Sequence, residues 1–404
     1  MSTTNDRIHV VDALRGFSLA GIVLVHMVEN YIGGPPPAEG MEAANQGILD
    51  AIVNGFVFIF IRGKFFALFS FLFGLSFFIQ MDKATQKGQA FAGRFLWRLV
   101  LLFAIGYLHH LFYRGDILTV YAMLGILLIP FYKINIKWLS IVTILIFLGT
   151  FRYLVFGTFG SESLFSDMDM NPQSPSVVNY FNLIKNGSLL EVFQSNATEG
   201  HLMKLDFQLG TFSRGYLTFG FFLLGLIAGK TKFFLHIAEH RKKMIKGLIW
   251  CAILFVVTFV LMSFMFIQAS GGGQAMTFDN WLYMIALTCM DLWNIVTTLL
   301  LIFAFLLIYL KVKGEKLLLK FAPYGKMALT NYVAQSVVGT FILYGWGMGY
   351  LGELRNIYTF LIGLLIVALQ MGWSTWWLRR FKYGPLEWLW RSLTYFKMFP
   401  MKAS

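Results

Sequence analysis

The feature that most constrains this chain is a series of apolar segments, each about as long as a membrane-spanning helix. A bilayer core is about 30 Å thick, so a helical span needs about 20 predominantly apolar residues. Ten segments meet this requirement, at residues 9–31, 56–80, 95–113, 116–133, 138–157, 214–230, 245–268, 281–310, 322–345 and 356–378. The composition agrees, because 57% of the 404 residues are hydrophobic and only 13% are charged. The sequence therefore predicts an all-α, polytopic integral membrane protein with about ten transmembrane helices.

The distribution of Lys and Arg predicts the orientation of these spans. With the N-terminus in the cytoplasm, most of the 33 Lys and Arg residues fall in connections on the cytoplasmic side, as the positive-inside rule requires. We therefore expect an N-in, C-in topology. The net charge of +13 then reflects topology and attraction to anionic membrane lipid, and we expect no nucleic-acid partner.

The predicted organisation is a single transmembrane domain, residues 1–404, in which two regions are not spans. Residues 158–212 form a long extracytoplasmic loop, and a loop of this length either covers a site or serves as a spacer. Residues 379–404 mix Trp, Tyr and Phe with Arg and Lys, which favours a cytoplasmic tail lying on the membrane surface. Cys251 and Cys289 lie inside apolar segments, so we expect two buried thiols and no disulfide framework.

Four ionisable residues lie near one face of the first span. Arg15 and His26 are eleven residues apart, so they differ by about 20° around a helix and by about 16 Å along its axis. Asp12 and Glu29 fall close to the same stripe. One interpretation is a boundary ion pair near one interface and water-exposed groups near the other. The alternative is a cavity that crosses much of the membrane, with Arg15 near its cytoplasmic mouth and His26 deeper inside.

The second and third spans also contain ionisable residues. Arg98 and His109 in the third span are again eleven residues apart, and Asp116 follows at its outer end. Arg62 and Lys64 interrupt the second span, which begins as early as residue 48 and is therefore predicted to be long, tilted or broken near the sequence IRGKF. Two helices running in parallel would each present an Arg at one depth and a His at another toward one cavity.

Three further polar residues are predicted to lie at membrane depth. Asn331 and Gln335 are four residues apart on the ninth span, and hydrogen bonds between helices would explain both. Asp291 on the eighth span requires either a partner or a proton. We expect no metal site, because the adjacent His109 and His110 point about 100° apart on a helix and no Cys or carboxylate set completes a tetrahedral site.

Five stretches resemble the YeiB-like family of bacterial membrane proteins, which is catalogued as domain of unknown function 418. The stretches VDALRGFSLAGIVLV, GKFFALFSFLFG and GYLHHLFYRGDILTVYAMLG are similar to its first four helices. The stretches YGKMALTNYVAQS and FKYGPLEWLWRSLTY are similar to its C-terminal signature. The resemblance extends from about residue 8 to residue 396 and implies a multi-pass protein of the bacterial cytoplasmic membrane.

That family is similar to heparan-glucosaminide acetyltransferases and, more distantly, to membrane O-acyltransferases with an Arg and a His on their first helix. The resemblance implies transfer of an acyl group from acyl-CoA or acetyl-CoA to a hydroxyl or amine acceptor, such as a small molecule, a glycan or a cell-envelope component. Pro37 stands where the heparan-type enzymes have their catalytic His, so that assignment does not transfer to this chain.

The leading hypothesis is therefore a transmembrane acyltransferase, because acyl transfer requires a base for the acceptor and cations for the phosphates of CoA. Its predicted catalytic residues are His26 or His109 as the base and Glu29 or Asp116 as the group that orients it. Its predicted CoA-binding residues are Arg15, Arg98, Arg62 and Lys64. Two alternatives stay open: a proton-coupled small-molecule transporter, and a non-catalytic membrane component whose polar groups only hold helices together. A homodimer is compatible with each of these hypotheses.

Overall fold

A computed structural model of the protein describes residues 9–88, 92–161, 163–166, 171–271 and 280–402. Across these ranges the chain is helical without any β-strand, and the single β-type pairing is an isolated bridge between Phe381 and Lys402. The predicted all-α fold is confirmed. A few positions of the predicted 158–212 loop, residues 162 and 167–170, lie outside the described residues.

Helices follow one another along the described ranges, joined by turns and irregular connections. The first part of the chain forms α1 (His9–Val28), α2 (Ala38–Ala44), α3 (Ile48–Phe56), a π-helical turn (Val57–Ile61), α4 (Phe65–Gln86), α5 (Ala92–Phe112), α6 (Leu118–Phe131), α7 (Ile136–Phe147) and α8 (Thr150–Phe159). The middle part forms α9 (Pro175–Asn186), α10 (Leu189–Ala197), α11 (Glu199–Leu209), α12 (Arg214–Lys230), α13 (Arg241–Ala269) and α14 (Trp281–Tyr309). The last part forms α15 (Val312–Leu318), α16 (Ala322–Lys326), α17 (Ala328–Leu343), α18 (Asn356–Leu378) and α19 (Pro385–Tyr395).

Each of the ten predicted spans coincides with one of these helices or with a pair of them. Within the described ranges, six helical segments are long and apolar enough to cross a membrane, or eight if two bent pairs each form one span. The bent pairs are α7 with α8, at 50°, and α11 with α12, at 60°. The remaining two of the ten predicted spans correspond to α6 and α17, which have only 14 and 16 residues. The polytopic fold is thus confirmed with helices of unequal length, whereas the N-in, C-in orientation stays a prediction.

The predicted irregularity of the second span is present. The segment Ile48–Gln86 runs as one span of 39 residues, but its helical pattern changes to a π-helical turn and then breaks over residues 62–64. Gly63 has φ +80°, and a Cβ at this position would lie 2.8 Å from Asn294 Oδ1. Only glycine adopts this conformation and this contact without strain. The break therefore separates the directions of Arg62 and Lys64.

Glycines fix the central helices by allowing their backbones to touch. A Cβ at Gly16 of α1 would lie 2.1 Å from the carbonyl oxygen of Phe321, and one at Gly325 of α16 would lie 2.0 Å from that of Asp12. Gly74 of α4 meets α12 in the same way. Small residues at such crossings permit the close van der Waals packing that holds membrane helices together. These contacts hold α1 and α4 in place at the centre of the bundle.

Helix α13 shows how the protein meets lipid. It packs mainly along α14, and its outward face presents apolar side chains such as Ile249, Val256 and Val260, all of them exposed. A soluble protein rarely exposes a continuous apolar face of this length. The exposed face supports a membrane protein with α13 at its lipid boundary. Cys251 on the same helix and Cys289 on α14 are both buried and free.

Candidate functional site

The centre of the bundle contains a cavity of about 250 Å³ around Arg15, which we call the Arg15 cavity. Its walls come from α1, α4, α5, α6, α16, α17 and α19 and are mostly aromatic and aliphatic. Its polar lining residues are Arg15, Ser76, Gln80, Arg98, Lys326 and Glu387. The cavity is therefore a narrow apolar space with cationic groups in its wall.

A larger cavity of about 570 Å³ surrounds His26, and we call it the His26 cavity. Its walls include the end of α1, the break in the second span, the α5–α6 connection and α11. Its charged lining residues are Glu29, Arg62, Arg114, Asp116, Lys204 and Arg214. This cavity is thus the more polar of the two.

Tyr121 of α6 and Tyr332 of α17 line both cavities, and we refer to them as the tyrosine partition. The Tyr121 hydroxyl is 2.6 Å from Ser70 Oγ, and the Tyr332 hydroxyl accepts a hydrogen bond from the Ile117 amide at 3.3 Å. Both rings are buried. One of the two interpretations of the sequence was a single cavity from Arg15 to His26; the structure has two cavities there, which share the residues of the tyrosine partition.

His109 and Asp116 form a buried pair beside the tyrosine partition. His109 Nδ1 lies 2.8 Å from Asp116 Oδ1, and the His109 ring lies 4.9 Å from the Tyr332 ring between centroids. The carboxylate also accepts hydrogen bonds from the Leu118 amide and from both the amide and the hydroxyl of Thr119. A carboxylate fixed in this way assigns the proton to Nδ1. The buried Nε2 atom, which has no hydrogen-bond partner among the described residues, is then the basic nitrogen.

His26 lies in the larger cavity, and among the described residues no carboxylate lies within ion-pair distance of it. Its ring contacts the rings of Tyr31 and Tyr113, at centroid distances of 5.2 and 5.1 Å. Tyr113 also contacts His109, at 6.3 Å, so this ring connects the two histidines. Glu29, one of the two groups predicted to orient a histidine, instead accepts a hydrogen bond of 2.6 Å from Arg62 Nε. Of the two predicted orienting groups, only Asp116 contacts a histidine.

The four predicted CoA-binding residues are divided among three places. Arg15 and Arg98 line the same cavity, as their parallel positions predicted. Arg62 lies in the His26 cavity with Glu29. Lys64 lines neither cavity: its ammonium donates to the Phe58 carbonyl at 2.7 Å and lies 3.7 Å from the Trp293 ring. The reason is the break at Gly63, which directs these two cations to different neighbours.

Arg15 and Arg98 are held at the rim of their cavity by different contacts. Arg15 donates to Asp12 Oδ1 at 3.0 Å and to Ser76 Oγ at 2.9 Å. The Arg98 guanidinium lies 4.1 Å from the Trp390 ring. Asp12 is therefore the ion-pair partner that the boundary interpretation expected, and the same Arg also lines a cavity. At this end of α1 the structure thus contains both the ion pair and a cavity that Arg15 lines.

The remaining intramembrane polar residues are mostly engaged in contacts between helices. Asp291 accepts a hydrogen bond of 2.5 Å from Arg152 and lies 3.6 Å from Arg214, so it has the partner that it required. Asn331 donates to Ser374 Oγ at 2.8 Å. Gln335 is buried, and within the described part of the chain neither polar atom of its side chain has a hydrogen-bond partner.

The structure adds site residues that the sequence did not predict. Lys204 comes from α11, inside the predicted extracytoplasmic loop, and its ammonium lies 3.7 Å from Asp116 Oδ2. The loop therefore covers the His26 cavity, as one of its two interpretations proposed. Arg114 directly follows one predicted span and Arg214 begins another, so their positions at span ends could have indicated a site. Lys204 had no such signal, because its place depends on how α11 folds back.

The tail also contributes to the site, through α19. Glu387 accepts hydrogen bonds from the amides of Leu329 and Thr330 and from the Thr330 hydroxyl, at 2.7, 3.1 and 2.6 Å. Burial raises the pKa of the Glu387 carboxyl, and these hydrogen bonds oppose the rise. Glu387 and Trp390 both line the Arg15 cavity. The tail is thus part of a cavity wall, whereas its attachment to the membrane surface stays a prediction.

Sequence comparisons place these features among related proteins. Residues 228–397 match the family model described as "Protein of unknown function (DUF418)". The chain is 29% identical over 415 residues to "Uncharacterized protein YxaH" of Bacillus subtilis (strain 168), covering 98% of this chain and 96% of that protein. It is 26% identical over 403 residues to "Uncharacterized protein YeiB" of Escherichia coli (strain K12), covering 95% of each. A protein of Bacillus acidopullulyticus, the "Uncharacterized 39.9 kDa protein in amylase 3'region", is 27% identical over 420 residues, covering 98% of this chain and 96% of that protein.

These matches extend over nearly the whole length of both partners in each pair, so they include both cavities and the tyrosine partition. The resemblance seen in the five sequence stretches is therefore confirmed: this chain is similar to YxaH and YeiB over nearly its whole length, and its residues 228–397 match the DUF418 family model.

Proposed function

We propose that this protein is an acyltransferase of the bacterial cytoplasmic membrane. Acyl-CoA or acetyl-CoA binds from the Arg15 side, which faces the cytoplasm in the predicted orientation, and the acceptor occupies the His26 cavity. The observation that supports this proposal best is the buried His109–Asp116 pair, which lies against a tyrosine shared by the two cavities. His109 itself lines neither cavity, so the proposal requires the donor and the acceptor to meet it at the Tyr332 ring.

The Arg15 cavity suits the arm of CoA better than the whole molecule. Pockets that enclose a drug-sized ligand have volumes of about 300–1,000 Å³, and this cavity of about 250 Å³ is smaller. Its apolar lining fits the extended pantetheine arm and a short acyl thioester. Arg15, Arg98 and Lys326 would then bind the phosphates, because guanidinium groups form bidentate hydrogen bonds with phosphate oxygens.

The chemistry is a direct transfer from sulfur to oxygen or nitrogen. His109 Nε2 accepts the proton of the acceptor hydroxyl or amine. The acceptor atom then attacks the thioester carbonyl, and the carbon–sulfur bond breaks. The CoA thiolate leaves and takes up the proton from the histidine. Asp116 stabilises the imidazolium that forms between these steps.

The test is an assay of the purified protein in detergent or nanodiscs. Release of CoA thiol from acetyl-CoA is followed with a thiol reagent, since slow hydrolysis reports on the base even before the acceptor is identified. His109→Gln is expected to lower the rate by about 10²–10⁴-fold. The matched control is His236→Gln, which changes an exposed histidine that contacts Glu239 and is expected to leave the rate unchanged.

Two results would contradict the proposal. The first is a parent protein that neither binds nor cleaves acetyl-CoA in lipid of native composition. The second is substrate counterflow in proteoliposomes without CoA, which would favour the proton-coupled transporter. Equal rates for parent and His109→Gln would leave acyl transfer in place but remove His109 from it.

A further inference from the structure

The His26 cavity contains more positive than negative side chains. Four cations line it, Arg62, Arg114, Lys204 and Arg214, against the two acids Glu29 and Asp116. Glu29 is bound to Arg62 at 2.6 Å, and Asp116 is bound to His109 and lies near Lys204. The acids in the wall are therefore engaged, and the charge of the other two cations is not balanced by them.

Arg114 is the clearest case. Its side chain is buried, with only 6% of the residue exposed, and in the described part of the chain no carboxylate lies within ion-pair distance of it. Its guanidinium lies 3.0 Å from the Tyr180 ring centroid and donates to Met203 Sδ at 3.1 Å. Its Nε atom is buried and unpartnered among the described residues. Glu199 is the acid whose charge acts on it from further away. Burying a cation without an anion is unfavourable, so a bound anion would stabilise Arg114 beside the ring and the thioether that contact it.

Arg214 adds to this excess in the wall of the same cavity. It shares the single carboxylate of Asp291 with Arg152, which has the shorter contact, 2.5 Å against 3.6 Å. The Arg214 NH1 atom is buried and makes no hydrogen bond to any described residue. Two guanidinium groups therefore face one acid, and the guanidinium that lines the cavity has the weaker share of it.

We propose that the His26 cavity is a binding site for a phosphate ester. The identity of the bound molecule as the substrate rests on the proposed function: the acceptor of the acyl group is then a phosphate-bearing alcohol or amine. Phosphate fits better than carboxylate because its oxygens surround a tetrahedral phosphorus and accept from donors in several directions, whereas both oxygens of a carboxylate lie in one plane. Arg114 and Arg214 bind the phosphate group, and Lys204 adds a third donor.

The same cavity also has groups suited to hydroxyls. His26 Nδ1, Asn30 Oδ1 and Gln208 Oε1 are buried polar atoms without a hydrogen-bond partner among the described residues, and all three residues line the cavity. A polyol phosphate would satisfy both the guanidinium groups and these atoms. The phosphate ester has two sources, a soluble phosphate monoester or the head group of a lipid in the outer leaflet.

The experiment measures binding in the absence of acyl-CoA. By calorimetry, the purified protein is expected to bind glycerol 3-phosphate at least about tenfold more tightly than glycerol. In nanodiscs, phosphatidylglycerol is expected to raise the melting temperature above that in phosphatidylcholine if the source is lipid. Arg114→Gln is expected to weaken glycerol 3-phosphate binding by at least about tenfold, or to reduce the shift in melting temperature as strongly if the ligand is the lipid.

The matched control is Lys185→Gln. Lys185 is a cation on α9 that pairs with Glu353 at 3.3 Å and does not line the cavity, so binding is expected to stay within about twofold. Arg114→Lys keeps the buried charge and loses the planar fork, so it remains informative if the Gln variant does not fold, and it is expected to weaken binding severalfold.

Equal binding of glycerol and glycerol 3-phosphate, together with no effect of phosphatidylglycerol, would overturn the proposal. A loss in Lys185→Gln as large as that in Arg114→Gln would overturn it too. Failure of acyl transfer with Arg114-dependent phosphate binding intact would reject the proposed function and leave the binding site standing, so the two failures can be told apart.

Discussion

The two cavities lie back to back but differ in size, lining and means of enclosure. The Arg15 cavity has about 250 Å³ and a mainly aromatic and aliphatic wall, whereas the His26 cavity has about 570 Å³ and six charged side chains in its wall. The first is bordered by membrane helices and by α19, and the second is covered by α2 and α11. In our proposals this difference corresponds to two different ligands, a slender apolar acyl thioester and a polar anionic phosphate ester.

The variant with the largest expected effect tests whether His109 is the base that acts between the two cavities. Asp116→Asn keeps the shape of the side chain, but its single oxygen replaces only one of the two carboxylate oxygens that accept from Leu118 and from Thr119, and it offers His109 an amide in place of a carboxylate. The proton on the ring is then no longer fixed at Nδ1, and we expect CoA release to fall by about 10²–10⁴-fold. Glu29→Gln is the matched control, because Glu29 contacts Arg62 and not a histidine. A larger loss in Glu29→Gln than in Asp116→Asn would contradict the orienting role of Asp116.

A smaller effect separates the ligands of the two cavities. Arg15→Met and Arg98→Met each remove a guanidinium from the Arg15 cavity while keeping a long apolar side chain. We expect the dissociation constant of acetyl-CoA to rise by about 10–100-fold, with glycerol 3-phosphate binding unchanged. Isothermal titration of both ligands against each variant measures this. Weaker phosphate-ester binding in these variants would show that the cavities do not discriminate.

The tyrosine partition can be opened directly. Tyr332→Ala removes a buried ring that lines both cavities and contacts His109. We expect CoA release without acceptor to increase severalfold, because water from the larger cavity reaches the thioester. Tyr332→Phe is the control, since it keeps the ring and removes only the contact with the Ile117 amide. An unchanged rate in Tyr332→Ala would mean that the surrounding helices close the gap.

The smallest expected effect concerns the tail. Glu387→Ala removes the acceptor for three donors at the start of α17, and we expect it to lower the free energy of unfolding by about 1–3 kcal/mol. Hydrogen exchange should increase first at the amides of residues 329 and 330. Exposed Glu239→Ala is the control. Unaltered exchange at these amides would show that α19 docks without this carboxylate.

Sequence periodicity predicted which helices contribute to the site better than it predicted that the site consists of two cavities. The eleven-residue spacings put Arg15 and Arg98 in one cavity, because both helices run in parallel and the helical repeat is fixed. The same reasoning could not predict the tyrosine partition, since Tyr121 and Tyr332 come from helices far apart in the chain. It also treated Arg62 and Lys64 as equivalent. The positive φ of Gly63 between them directs Arg62 into a cavity and Lys64 toward Trp293.

The unequal helix lengths have a consequence for the membrane itself. At about 1.5 Å per residue, α6 and α17 are about 21 and 24 Å long, shorter than the roughly 30 Å of hydrocarbon in a bilayer. Both supply a tyrosine to the wall between the cavities. The local hydrocarbon layer must therefore become thinner around these two helices, or polar connections must enter it. In the proposed reaction the acyl group would pass between the cavities beside these two tyrosine side chains.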